Sequence, residues 1–165
     1  MDCEVSQKPV LQGEHSLLQV ALGKTIDGAA QPQRCARAFS DLRCVFGRAA
    51  IVPDVSVCRW QRISRTLAGR IANRFETHPN WAIEILSPGQ AQTQPLAKLL
   101  HCIESGMELG WLLDLEAESV LTISAESRIK LYRDDAPLPV LLPVLSGLEL
   151  ELSAIAVFSW LSLPT

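Results

Sequence analysis

The chain has 165 residues, of which 48% are hydrophobic and 20% charged, with a net charge of −3. That length suits one domain with a real core, and the composition excludes a disordered or fibrous chain. The mildly acidic balance means that any affinity for nucleic acid comes from a local basic patch and not from the average surface.

Residues 14–27 (EHSLLQVALGKTID) place Leu17, Leu18, Ala21, Leu22 and Ile26 on one helical face, with Gly28 as the stop. Residues 29–34 are polar, contain Pro32 and predict a turn. Residues 36–45 (ARAFSDLRCV) alternate as a strand does, and Gly47 follows as a turn. Residues 50–58 predict the next strand, in which Pro53 implies an edge position or a bulge. Residues 61–80 are arginine-rich and weakly patterned, and predict an irregular excursion with a short helix. Trp81–Leu86 (WAIEIL) is a short apolar strand, broken off by "SPGQ".

Residues 95–105 predict a helix, with Pro95 suited to its first turn and Gly106 to its end. Residues 109–114 (LGWLLD) predict a buried strand, and 120–124 and 128–132 two more. Residues 148–152 (LELEL) predict a last strand or the approach to a helix, and 153–162 a C-terminal helix capped by Ser153. The order predicts a mixed α/β domain around a central sheet, with the whole chain, 1–165, as one unit. Five cysteines (Cys3, Cys35, Cys44, Cys58 and Cys102) show no metal-binding spacing and no signal-peptide pattern precedes them, so they are expected as free thiols in the cytoplasm. Nothing in the sequence predicts a membrane span.

Two acids interrupt apolar strands: Asp54 in "IVPDVSV" and Glu84 in "WAIEILSP". A buried carboxylate needs a partner. Two on neighbouring strands repel each other unless a cation sits between them, and a divalent metal with oxygen ligands answers that need. Lys98, on the helix after the second acid, is placed to neutralise the pair or to orient water. An Asp, an acid one strand later and a Lys make up the pattern of the PD-(D/E)xK nucleases, with Pro53-Asp54 as its "PD". The usual lysine position, two residues after the acid, is Leu86 here, so Lys98 is taken as the helical replacement.

The chain resembles the Uma-type restriction endonuclease family, in particular its cyanobacterial branch. The matching stretches are "QGEHSLLQ" (12–19), "AFSDLRCVFG" (38–47), "IVPDVSVCRW" (51–60), "WAIEILSPGQAQT" (81–93), "KLLHCIESGMELGWLLD" (98–114) and "ESVLTI" (118–123). The resemblance implies a restriction-endonuclease-like fold, a mixed sheet flanked by helices. It also implies Mg²⁺- or Mn²⁺-dependent hydrolysis of DNA, an endodeoxyribonuclease activity. Carried over by position, the metal ligands fall on Asp54 and Glu84, and the catalytic set on Asp54, Glu84 and Lys98. His15 matches a recurrent family histidine, and Glu14, His15 and Gln90 are candidate accessory residues. A lysine common in the branch is Gln94 here.

The chain starts close to "QKPVLQGEHS", so most of the family's N-terminal helix and hairpin is expected to be missing. The apolar surface left uncovered predicts a homodimer. The arginines between residues 59 and 74 are expected to meet the DNA backbone. The rival expectation is a catalytically inactive nuclease-fold protein acting as a nucleic-acid-binding or protein-interaction module, favoured by Gln94 and the acidic balance. Bland readings stand beside the sharp ones: His101 as a packed core histidine, His78 as a loop residue without support, Trp111 as core, and Asp114 as a turn residue.

Overall fold

A computed structural model of the protein describes residues 12–141 and 151–165. It contains α1 (Gly13–Ala30), β1 (Ala36–Ser40), β2 (Cys44–Phe46), β3 (Ala49–Ile51), β4 (Val55–Arg59), β5 (Trp81–Leu86), α2 (Thr93–Glu104), β6 (Leu109–Asp114), β7 (Ser119–Ser124), β8 (Ile129–Tyr132) and α3 (Ala154–Ser159). Six strands form one sheet in the order β1-β4-β5-β6-β7-β8, and β2 and β3 form a separate hairpin. The pair β5–β6 is parallel and is bridged by α2; the other neighbours in the sheet are antiparallel. This is the mixed sheet flanked by helices that the element order predicts.

Alternation along the strands sorts the core into two faces. Val55, Val57, Trp81, Ile83, Ile85, Trp111 and Leu113 pack against α1 and α3. Ala82, Leu86, Leu112 and Ile123 pack against α2 and the hairpin residues Cys44 and Ile51. Helix α1 buries Leu18, Leu22, Ile26 and Ala30, a stripe at positions i, i+4, i+8 and i+12. Leu17 therefore falls outside the stripe, 43% exposed, contrary to the sequence reading. Gly28 does not stop the helix, which runs on to Ala30, because a cap at Gln31 closes it through a bond from its N–H to the Asp27 carbonyl. Trp111 is core as expected, edge-to-face with Trp81 at 4.8 Å.

Two other expectations change. The predicted strand 36–45 is interrupted at Asp41, whose φ of 49° turns the chain out of the sheet. The predicted strand 50–58 is split at residues 52–54, and its second half is a central strand, not an edge. Pro53, which has no N–H to give, lies just outside the ladder. The hairpin turn at Gly47, the 3₁₀ turn at Trp60–Arg62 within the irregular excursion and the Ser153 cap, which accepts the Ala156 N–H at 3.2 Å, agree with the sequence. Residues 148–150 of the expected last strand lie outside the described residues.

Arg59 closes the end of β4. Its guanidinium donates to both Glu108 oxygens at 2.8 and 2.7 Å, while Asn80 donates to the same carboxylate at 2.9 Å. The bonds from Arg59 hold the Glu108 carboxyl below its ordinary value of 4.5, partial burial opposes this, and Asn80 adds to it. A depressed folded-state value means that the stability contributed is complete above the unfolded value and is lost as pH falls through the folded one. The melting temperature should therefore fall more steeply below pH 4.5 in the wild type than in Glu108→Gln. Parallel curves in a pH series of thermal melts would show that the cluster contributes no pH-dependent stability.

Candidate active site

Strand β4 pairs with β5 in the register Val55↔Ile83 and Ser56↔Ala82. Continued by one residue, that register sets Asp54 opposite Glu84, so the two acids occupy facing positions where the β4 ladder ends. Asp54 is 3% exposed and Glu84 5% exposed. Glu84 belongs to the α2 side of the sheet by alternation with Ala82 and Leu86.

Asp54 is held through both its side chain and its carbonyl. Its Oδ2 accepts the Ile85 N–H at 2.8 Å, taking the place that a β4 carbonyl would hold if the ladder ran on. The same oxygen lies 3.3 Å from His15 Nε2, which comes from the first turn of α1. The Asp54 carbonyl accepts the Gln19 side-chain amide at 2.9 Å and the Asp41 N–H at 3.3 Å. His15 and Gln19, at i and i+4, are two polar members of the buried stripe of α1, and both end on Asp54. His15 is 2% exposed. Its other ring nitrogen, Nδ1, has no hydrogen-bond partner among the described residues.

Glu84 has a different cation. Lys98 Nζ lies 3.3 Å from Glu84 Oε1, with the lysine side chain 31% exposed and the carboxylate buried. Lys98 thus points from α2 at the acidic strand, and not away from it. The sequence predicts one cation shared by two repelling acids; in the fold each acid has a positively charged or N–H partner of its own.

The other candidates fall outside this centre. Glu14 is exposed, one residue from His15 on the helix. Gln90 is exposed and its Oε1 accepts the Ser87 N–H at 3.1 Å, which holds the turn after β5 together. Gln94 is exposed on α2. His101 is exposed and stacked on Phe46 at 5.6 Å, so it is not the packed core residue that its position beside Leu100 and Cys102 suggests. His78 binds the Pro79 carbonyl through Nδ1 at 2.8 Å. Asp114 Oδ1 accepts the N–H groups of Glu116 and Ala117 at 3.0 and 3.1 Å, as a turn residue does. Sequence reasoning missed Gln19, although its spacing from His15 on an apolar stripe is the signal that finds it.

Among the described residues no group of three or more His, Cys, Asp or Glu side chains forms a ready metal cage. Cys44, Cys58 and Cys102 are free and buried. Burial pushes their thiols up to about 11, about 12 and about 12, so they stay protonated and are not soft ligands. What remains is a pair of carboxylates with a lysine. That donor set suits a hard, oxygen-seeking ion such as Mg²⁺, which keeps several waters and is held by one or two carboxylates plus substrate phosphate.

No helix among the described residues is long and apolar enough to cross a membrane. The chain is similar to a crystal structure described as "a putative nuclease belonging to DUF820" from Anabaena variabilis. The two share 43% identity over 94% of this chain and 86% of that one, with a TM-score of 0.90. No curated protein matches the chain. A family model described as "Putative restriction endonuclease" matches residues 3–154, which includes Asp54, Glu84 and Lys98, and the chain therefore belongs to that family, Uma2.

Proposed function

We propose that the protein is a Mg²⁺- or Mn²⁺-dependent endonuclease that hydrolyses phosphodiester bonds of DNA, with the whole chain as a single domain working in the cytoplasm. The observation that carries this reading is the facing position of Asp54 and Glu84 at the end of the β4 ladder, with Lys98 on Glu84. Asp54 and Glu84 hold the ion. Bound there, the ion supplies Lewis-acid polarisation of the scissile phosphate and an acidified water as nucleophile. Lys98 stabilises charge on the phosphoryl oxygens or fixes the attacking water. Its partial exposure lets the ammonium move from Glu84 to the substrate. His15 and Gln19 fix the orientation of Asp54, and the Ile85 N–H ties that carboxylate to the strand of Glu84.

Arg59 is engaged by Glu108 and Arg62 by the Thr77 hydroxyl, so the arginines proposed for the DNA backbone narrow to Arg65, Arg70 and Arg74, all exposed. The test is cleavage of supercoiled plasmid with Mg²⁺ and with Mn²⁺, beside Asp54→Ala. Nicking or linearisation by the wild type alone supports the reading. Intact plasmid under every metal condition counts against it.

A second reading, a non-catalytic nucleic-acid-binding or protein-interaction module on the same fold, draws on one observation: both acids already have partners without a metal. Calorimetric titration with Mn²⁺ separates the two, because the module takes up no ion. We also propose a homodimer. The exposed Ile129 and Leu131 on the edge strand β8 support it, and a monomer mass by light scattering at micromolar concentration would refute it.

A further inference from the structure

The excursion between β4 and β5 holds a small hairpin that its sequence pattern does not announce. Ala72 N–H donates to the Ser64 carbonyl at 2.8 Å, Arg65 pairs with Ile71 across an antiparallel bridge, and Thr66 N–H donates to the Arg70 carbonyl at 2.7 Å. At the tip, Gly69 N–H donates to the Thr66 carbonyl at 2.9 Å and Arg70 N–H to the Thr66 hydroxyl at 3.2 Å. Gly69 has φ +84°, the left-handed residue that a three-residue hairpin loop requires. The hairpin is therefore a defined finger, 64–72, and not a slack loop.

Its base is anchored. Ile63 and Phe75 are buried together with Cys58, the Arg62 guanidinium donates to the Thr77 hydroxyl, and the Arg65 guanidinium lies 5.8 Å from the Trp60 ring centroid. Its tip is bare: Leu67 is fully exposed, and Arg65, Arg70 and Ile71 are exposed beside it. Residues 59–75 carry five arginines and no acid, within a chain of net charge −3.

An apolar side chain at the end of a hydrogen-bonded, arginine-flanked projection has the chemistry of a wedge that enters a nucleic-acid groove and unstacks a base step. The finger leaves β4 at its Arg59 end, five residues from Asp54, about 16 Å along the strand. The strand end from which the finger departs is thus about half a helical turn of duplex from Asp54, within the reach of one bound DNA. We propose that residues 64–72 form a duplex-binding finger, in which Leu67 wedges into a deformable base step and Arg65 and Arg70 hold the flanking phosphates. The inference rests on the nuclease reading above, and it adds how the substrate is gripped and distorted.

The probe is a short duplex with 2-aminopurine at a central TA step, mixed with the wild-type protein in EDTA so that no cleavage occurs. Binding by the wild type should raise the 2-aminopurine fluorescence. Leu67→Ala, a change at a fully exposed site, should keep the wild-type melting temperature, lose the fluorescence rise and bind about tenfold more weakly. Arg65→Ala with Arg70→Ala should reduce the slope of log affinity against log salt by about 2. Removing the same charge away from the finger and from the β8 strand, with Lys24→Ala and Arg133→Ala, both exposed, should leave affinity and fluorescence nearly unchanged. If Leu67→Ala binds, brightens the probe and cleaves plasmid as the wild type does, the finger is not a wedge, and the nuclease reading stands. If Leu67 matters for retention on anionic phospholipid vesicles and not on duplex, the proposal is overturned in favour of a membrane contact. If the wild type neither binds duplex nor cleaves plasmid, both proposals fall.

Discussion

Replacing Asp54 by asparagine should abolish cleavage and lower stability together. The substitution keeps the shape and one carbonyl oxygen but removes the charge that holds the ion. Lewis-acid stabilisation is worth several kcal/mol in the transition state, so the rate should fall by about a thousandfold or more. The stability change has a separate cause. Asp54 Oδ2 accepts the Ile85 N–H at 2.8 Å and faces His15 Nε2 at 3.3 Å in a buried setting. Weakening bonds to a buried charged acceptor costs about 1–3 kcal/mol. If the two acids stood unpartnered and repelling, the same change would leave stability equal or higher. Thermal melts beside plasmid cleavage decide the matter: an Asp54→Asn protein that melts above the wild type would refute the partnered arrangement, and one that still cleaves at the wild-type rate would refute the catalytic role.

Saturating Mn²⁺ should raise the melting temperature of the wild type. An ion that binds the folded chain alone stabilises it by about 2.7 kcal/mol at a hundred times its dissociation constant. For a domain of this size that corresponds to roughly 5–10 °C. Glu84→Gln should lose the response, because one of two carboxylate ligands is gone. Lys98→Met should keep it, or respond more strongly, since the ammonium 3.3 Å from Glu84 Oε1 competes with the ion for that oxygen. A wild-type curve unmoved by Mn²⁺ would favour the non-catalytic module. An equal shift in Glu84→Gln would place the ion somewhere other than between these acids.

The elements written in local pattern are those the sequence determined by itself. Trp81–Leu86 and Leu109–Asp114 are continuous apolar runs, as strands buried on both faces must be, and they match to the residue. Helix α2 and the capped α3 follow from a period of 3.6 and from Ser153. Asp54 and Glu84 stood out because a carboxylate in an apolar strand contradicts its surroundings, and Lys98 because it lies on the helix that follows the second acid.

Tertiary structure decided what lies beyond the reach of a local window. The stripe of α1 passes through Leu18 and not Leu17, because the sheet under the helix selects the face. Whether Pro53 marks an edge or only a break depends on β1 arriving at β4 from earlier in the chain. That Gln19 reaches the Asp54 carbonyl 35 residues away, that His15 and not Gln90 meets the carboxylate, and that Lys98 meets Glu84 are long-range facts. The finger at 64–72 was hidden for a related reason. An exposed hairpin has no buried face, so no hydrophobic alternation records it, and backbone hydrogen bonds with one left-handed glycine hold its shape instead.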